Sequence, residues 1–346
     1  MKKSITAKFK IFTTLGKILL PLLILLLPFL LITFIITPKF FSWCLRIFFN
    51  SQLKIPPKEF LYTESVSSIY NISYGENHGE TLDLHLPVNK KEKAPLIIWA
   101  HGGAYVAGDK AQLTFFARIL ANYGYAVASL NYTLAPEARY PEQLVQLDKA
   151  YTFLTQGKYQ EQKSIDTKRI FLGGNSVGAQ MMSQFALLQT NLIYRNDFIA
   201  AHPDYPLSAV IPTANLRGIL LYCGPYSLKN LQSSPKLLLK LLFGQTGWAY
   251  FGKRNLSNLS ALDEVDIIPH LTATFPPSFV TDGNNMTFTK QGKDLAVALK
   301  TLGVPTTELF FDDAKTKVHH EFQLDLATPE ARQALLTVLA FLKKYR

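Results

Sequence analysis

Arg169-Ile170-Phe171-Leu172-Gly173-Gly174-Asn175-Ser176-Val177-Gly178-Ala179 runs an apolar stretch straight into Gly174-x-Ser176-x-Gly178. The residues that follow, Ala179 to Thr190, have helical composition and begin with small side chains. The stretch therefore predicts a strand, a sharp turn and a helix, the context in which Gly-x-Ser-x-Gly becomes a nucleophile elbow. Such a turn strains its central residue and leaves no room for side chains beside it, a need that Gly174 and Gly178 meet. Ser176 would then present its hydroxyl above the sheet edge, at the positive end of the following helix. A serine that merely caps a helix has the same local sequence, so the rest of the chain must supply the context.

Working outward, Pro95-Leu96-Ile97-Ile98-Trp99-Ala100 is a fully apolar run that ends in His101-Gly102-Gly103-Ala104-Tyr105. A strand apolar on both faces belongs in a parallel sheet covered by helices. The glycines after it let backbone N–H groups approach a substrate, and the Val177 N–H just past the serine would complete an oxyanion hole with Gly102 and Gly103. Strands over 126–132, 169–173, 218–223, 278–281 and 307–311 alternate with helices over 112–122, 142–155, 177–190, 288–302 and 329–344. This is the pattern of one doubly wound α/β domain. Before it, 68–74 and 81–86 read as an antiparallel, half-exposed edge pair, since Thr81-Leu82-Asp83-Leu84-His85-Leu86 alternates strictly. Residues 226–271 are Leu- and Ser-rich without strand period and read as a helical insertion placed to cover the site.

His101-Gly102-Gly103-Ala104-Tyr105, then Asn131-Tyr132-Thr133-Leu134-Ala135-Pro136-Glu137 with Tyr140-Pro141, then Gly174-x-Ser176-x-Gly178, resembles the hormone-sensitive-lipase-like and feruloyl-esterase-like branch of the α/β-hydrolase carboxylesterases. The resemblance covers roughly residues 65–345. It implies an eight-stranded, mostly parallel sheet, no cofactor, and Ser, Asp and His acting in chain order. His320, in His320-Glu321-Phe322 between the last strand and last helix, is the base this pattern favours, with His319 adjacent. His101 has a structural part in the glycine turn, and His270 none in the chemistry. Most such proteins carry Asp at the position that here is Asn285. Asp282, three residues earlier, is the nearest carboxylate and is the expected acid, because a base needs an acceptor that fixes its tautomer and stabilises the imidazolium. Asn285 could orient His320 without the charge. Asp312 and Asp313 lie on the strand leading to His320, whereas Asp148 and Glu137 read as structural.

The charge of the chain is +11, but residues 1–58 hold nine Lys/Arg and no acid, leaving 27 basic and 25 acidic groups elsewhere. That distribution argues against nucleic acid as partner. Ile18 to Thr37 is uncharged and apolar, long enough as a helix to span a bilayer core of ~30 Å, and five lysines precede it. The expected layout is a basic cytoplasmic segment 1–17, an uncleaved transmembrane anchor 18–37, a connector 38–60, and a hydrolase domain 61–346 on the extracytoplasmic side. A cleaved signal peptide fits less well, its apolar region being shorter, about 7–15 residues. Cys44 and Cys223 do not make a disulfide framework, and His319-His320-Glu321 has no metal-ligand spacing. The expectation is a membrane-anchored serine hydrolase acting on small-molecule or lipid esters. A peptidase or amidase on the same fold, and a catalytically weak binding protein, are the alternatives.

Overall fold

The computed structural model describes residues 33–49, 54–61, 65–88, 92–157, 159–232 and 237–346. The segment 1–17 and most of the expected anchor 18–37 lie outside them. Among the described residues no helix is long and apolar enough to cross a membrane. The connector folds in part as helix α1 (Lys39–Phe49). Strands β1 (Val66–Ser73) and β2 (Thr81–Pro87) then pair antiparallel, and the alternation follows. It runs β3 (Ala94–Ala100), α2 (Thr114–Asn122), β4 (Ala126–Leu130), α3 (Glu142–Gln156), β5 (Ile165–Asn175), α4 (Val177–Thr190), α5 (Leu192–Ala201) and β6 (Leu216–Tyr222). The insertion contributes α6 (Leu228–Gln232), α7 (Leu237–Phe251) and α8 (Ala261–Glu264). The chain ends with β7 (Ser278–Asp282), α9 (Thr289–Thr301), β8 (Thr306–Phe310) and α10 (Pro329–Tyr345).

The eight strands form one sheet in the order β1-β2-β4-β3-β5-β6-β7-β8. Strand β2 runs antiparallel to both its neighbours, β1 and β4, whereas β3 to β8 pair in parallel. This is the α/β-hydrolase fold. Side chains of β3 alternate between two cores, as the strand period requires. Leu96 and Ile98 join Leu144, Leu147 and Phe185 on one face, while Ile97 and Trp99 join Phe116, Leu120, Leu335 and Val338 on the other. Each such aliphatic residue, fully buried, contributes about 1.5–3 kcal/mol. The sandwich holds the carboxyl ends of β3, β5, β6 and β7 as a common edge.

One expectation fails at β2. Its alternating pattern predicts an exposed polar face, yet Asp83 and His85 are buried because β1 and the turn before α2 cover them. Asp83 instead pairs with the equally buried Lys110 ammonium at 2.7 Å and accepts the Asn71 N–H. His85 Nδ1 meets Ser68 Oγ, and burial pulls its pKa down to about 4, so it stays neutral at pH 7.

Candidate active site

Ser176 stands between β5 and α4 with φ +53° and ψ −129°, a conformation that L residues rarely adopt. The Ser176 N–H donates to the Tyr222 carbonyl on β6. The glycines on either side are required by contact. A Cβ on Gly178 would lie 2.2 Å from the Ala100 carbonyl oxygen, and one on Gly174 would lie 2.4 Å from the Gly178 backbone. Ser176 Oγ has no protein hydrogen-bond partner among the described residues and is free to meet a substrate. Catalytic hydrogen bonds often tighten only when substrate binds.

The His101-Gly102-Gly103 turn follows β3 beside the elbow. Gly103, Ala104 and Tyr105 have φ of +115°, +53° and +66°, a run of left-handed backbone that leaves N–H groups free to point at an anion. Among the described residues the N–H groups of Gly102, Gly103, Ala104 and Val177 meet no protein acceptor. Ala104 was not a sequence candidate for the oxyanion hole; its positive φ is visible only in three dimensions. His101 shapes the turn as expected, with Nδ1 2.6 Å from the Gly102 carbonyl oxygen and its ring stacked on Tyr132.

The elbow is tied to the His320 loop by a hydrogen-bond chain that passes through the Asn175 amide. Trp99 Nε1 donates to Asn175 Oδ1 at 2.9 Å, and Asn175 Nδ2 donates to Glu321 Oε1 at 2.5 Å. Glu321 Oε1 and Ser176 Cβ both crowd the face of Gly102 that a side chain would occupy. Asn175 and Glu321 thus fix the residue after His320 against the nucleophile turn. Neither was singled out from the sequence, since polar residues inside and after a motif carry no distinguishing pattern.

His320 and Asp282 come together; His319 and Asn285 form a separate pair. Asn285 Nδ2 lies 3.2 Å from Nδ1 of the exposed His319, bridged to it by backbone pairing, so the alternative in which Asn285 orients His320 is not what this loop arrangement gives. Asp282, 1% exposed at the end of β7, reaches His320 through Thr287, whose hydroxyl donates to Asp282 Oδ1 and lies 2.8 Å from His320 Nδ1. Burial raises the pKa of Asp282, partly offset by the Thr287 hydrogen bond, the His320 charge, the Cys223 thiol and the Gly283 N–H. Cys223, buried after β6, is pushed up by burial and by the Asp282 charge. The ligating atoms of Cys223, Asp282 and His320 lie within 4.8 Å of one another. Thr287 engages Asp282 Oδ1 and His320 Nδ1, and the Glu321 N–H donates to Cys223 Sγ at 3.4 Å, while the buried Asp282 Oδ2 has no hydrogen-bond partner among the described residues.

The other candidates fall outside this cluster. Asp148 accepts from Ser208 N and Oγ and Ala209 N, a structural role. Asp312 and Asp313 sit in an exposed turn past β8, where Asp312 accepts from Ala314 N. His270 meets the Asp263 carbonyl and the Tyr194 ring. Glu137 does more than hold its own loop: it pairs with Arg46 of α1 at 2.5 Å. The same guanidinium donates to the Val106 and Ala135 carbonyls. Val106 and Ala107 close the oxyanion turn by donating to the Gly103 carbonyl, so α1 braces that turn from outside. Tyr250 of the insertion helix α7 stacks on Tyr105 of the turn at 3.8 Å, covering it from the other side. A polar groove of about 1630 Å³ opens beyond His101, lined by Arg46, Asp109, Lys110, Tyr132 and Glu137 among others; it does not reach Ser176.

An elbow serine, an open glycine turn and the linked Asp282, Thr287 and His320 side chains at the carboxyl edge of this sheet place the molecule in the α/β-hydrolase class. The chain belongs to the BD-FAE family, whose model matches residues 82–299. It is 26% identical over 167 residues to kynurenine formamidase of Salmo salar, covering 48% of this chain and 49% of that protein. It is 22% identical over 268 residues to a probable isoprenylcysteine alpha-carbonyl methylesterase of Oryza sativa subsp. japonica, covering 73% and 61%. The chain therefore spans about half to three-fifths of the length of these relatives. Its fold is similar to that of esterase B from Lactobacillus rhamnosis, with a TM-score of 0.68, 20% identity, and coverage of 82% of this chain and 86% of that one.

Proposed function

We propose that the protein is a membrane-anchored serine hydrolase that cleaves carboxylic esters through an acyl-enzyme on Ser176. Ser176 Oγ attacks the ester carbonyl while His320 takes its proton; the tetrahedral oxyanion rests on N–H groups of the 102–104 turn and of Val177. His320 then protonates the leaving alcohol, and water repeats the sequence to release the acid. The observation that carries this reading is the strained Ser176 elbow beside a glycine turn whose N–H groups have no partner among the described residues. Membership of the BD-FAE family and likeness to a probable methylesterase support the ester as substrate.

Likeness to kynurenine formamidases of Salmo salar and Danio rerio supports a second reading, hydrolysis of a small amide such as an aryl formamide. The full-length chain in detergent should hydrolyse short-chain aryl esters, and Ser176→Ala should lose activity by at least about 10³-fold. A serine-directed phosphonate should label the wild type and not the variant. Faster turnover of a matched aryl formamide than of the ester would move the assignment to the amidase reading. Labelling and turnover both absent from the folded wild type would leave a binding protein on a hydrolase scaffold. The apolar run 18–37, with its lysines before and its hydrolase domain after, supports an anchor with the N-terminus cytoplasmic and the domain outside.

A further inference from the structure

We propose that Thr287 is a positioning residue of this site, its hydroxyl carrying the contact between Asp282 and His320 that in a triad is made directly. The inference rests on the serine-hydrolase reading and deepens it. The acid of this chain sits three residues earlier than the position occupied here by Asn285, at the very end of β7, and Asn285 is engaged with His319. No hydrogen bond joins Asp282 to His320 directly among the described residues. Thr287, five residues past Asp282 and just before α9, bridges them: Oγ1 donates to Asp282 Oδ1 and lies 2.8 Å from His320 Nδ1.

The proton count assigns the tautomer. A hydroxyl has one proton, and here it goes to the carboxylate. Oγ1 can then only accept from His320, so Nδ1 carries the proton and Nε2 keeps the bare lone pair that a general base needs. When Ser176 transfers its proton to Nε2, the imidazolium keeps its Nδ1–H on Thr287, and Thr287 keeps its own proton on Asp282. No proton moves along the relay; the buried carboxylate acts on the imidazolium through an oriented hydroxyl. The Phe288 ring, perpendicular to the His320 imidazole with centroids 5.4 Å apart, limits rotation of the imidazole. The other titratable or charged groups around His320 are Cys223, its chain neighbours His319 and Glu321, and Lys54 across a small cavity of about 150 Å³.

Thr287→Val keeps the shape and removes the hydroxyl; Thr287→Ser keeps the hydroxyl and removes a methyl. In the full-length chain, Thr287→Val should lower kcat for an aryl ester by about 30–300-fold with KM within about threefold, while Thr287→Ser stays within about fivefold of wild type. The acidic limb of the kcat/KM profile should move to lower pH in Thr287→Val, because its imidazolium has lost an acceptor. Wild-type kcat with an unmoved limb in Thr287→Val overturns the proposal. So does a Thr287→Ser variant as slow as Thr287→Val, which would make the effect one of packing. Nitrogen NMR of the unmutated chain decides the point even where the variants fail to fold. His320, identified by the signal lost in His320→Gln, should be protonated at Nδ1 and bare at Nε2 at neutral pH; the opposite tautomer refutes the relay. Because that measurement needs no turnover, it separates failure of the relay from failure of the hydrolase assignment, which Ser176→Ala and phosphonate labelling decide.

Discussion

Asp282 is kept buried at a cost that its removal should expose. Burial raises its pKa in the folded chain, so folding disfavours the carboxylate relative to the acid. For a group shifted this way, the contribution to stability is greatest below the unfolded-state pKa and is lost as pH rises through the folded-state value. At pH 7 the group is on the unfavourable side, and Asp282→Asn should raise the melting temperature by about 1–3 °C while lowering activity. The gain should shrink as pH falls and vanish where both states of wild-type Asp282 are protonated. A variant less stable than wild type at pH 7 would show that the hydrogen bonds to the carboxylate outweigh its desolvation. At this scale the sequence was informative where chemistry forces a residue type. Ser176, Gly174, Gly178 and the glycines after His101 are legible because only those residues fit the turns. Thr287, Asn175, Glu321 and Ala104 were not, because their parts depend on which loops meet in space. Asp282 was legible as a nearby carboxylate, but the hydroxyl between it and His320 was not.

Among the elements, α1 has the least expected part. Arg46 draws three acceptors together, the carbonyls of Val106 and Ala135 and the Glu137 carboxylate, and so couples α1 to the oxyanion turn and to the loop before α3. The pair with Glu137 is half exposed and adds little to global stability. Its effect should lie in holding the turn in place. Arg46→Ala should therefore lower kcat about threefold to thirtyfold with less than about 1 kcal/mol change in urea stability, and Arg46→Lys should not restore it, since a single ammonium cannot fork over three acceptors. Unchanged kcat in a folded Arg46→Ala chain would remove the brace from the mechanism. The insertion is also tied down: Tyr140 donates to Glu264 and its N–H to the Tyr250 carbonyl, in addition to the ring stack on Tyr105. The regular elements were read well because strands β3 to β8 and their helices have long, consistent apolar periods. Helix α5 was missed, since Leu192–Ala201 follows α4 after a single capping residue, Asn191, and has no separate period of its own. The exposure expected of β2 was wrong because alternation reports which residues are polar, not which are buried; a buried Lys110 supplied the partner that Asp83 needed.

Over the whole molecule, charge is divided sharply between an N-terminal segment with no acid and a nearly balanced remainder. In the anchored reading, the full chain should stay with the membrane fraction through high-salt and alkaline washes. Protease added on the extracytoplasmic side should degrade the hydrolase domain and spare an N-terminal tag. Release by salt alone would make the attachment peripheral and remove the anchor. The expectation of such a topology rests on hydropathy and lysine position alone and needs no tertiary information.

Helix α1 starts at Lys39, two residues past the end of the apolar run, and Arg46 fastens it to the domain with no intervening spacer. On this helix Trp43, Ile47 and Phe48 are exposed. In the anchored reading, an enzyme mounted this way would have no leash. It could not sample the surrounding fluid beyond its own height, and its encounters with a lipid ester would be set by lateral diffusion in two dimensions. The concentration that governs its rate would then be the mole fraction of ester among its lipid neighbours, and diluting the suspension at fixed membrane composition would leave turnover per molecule unchanged.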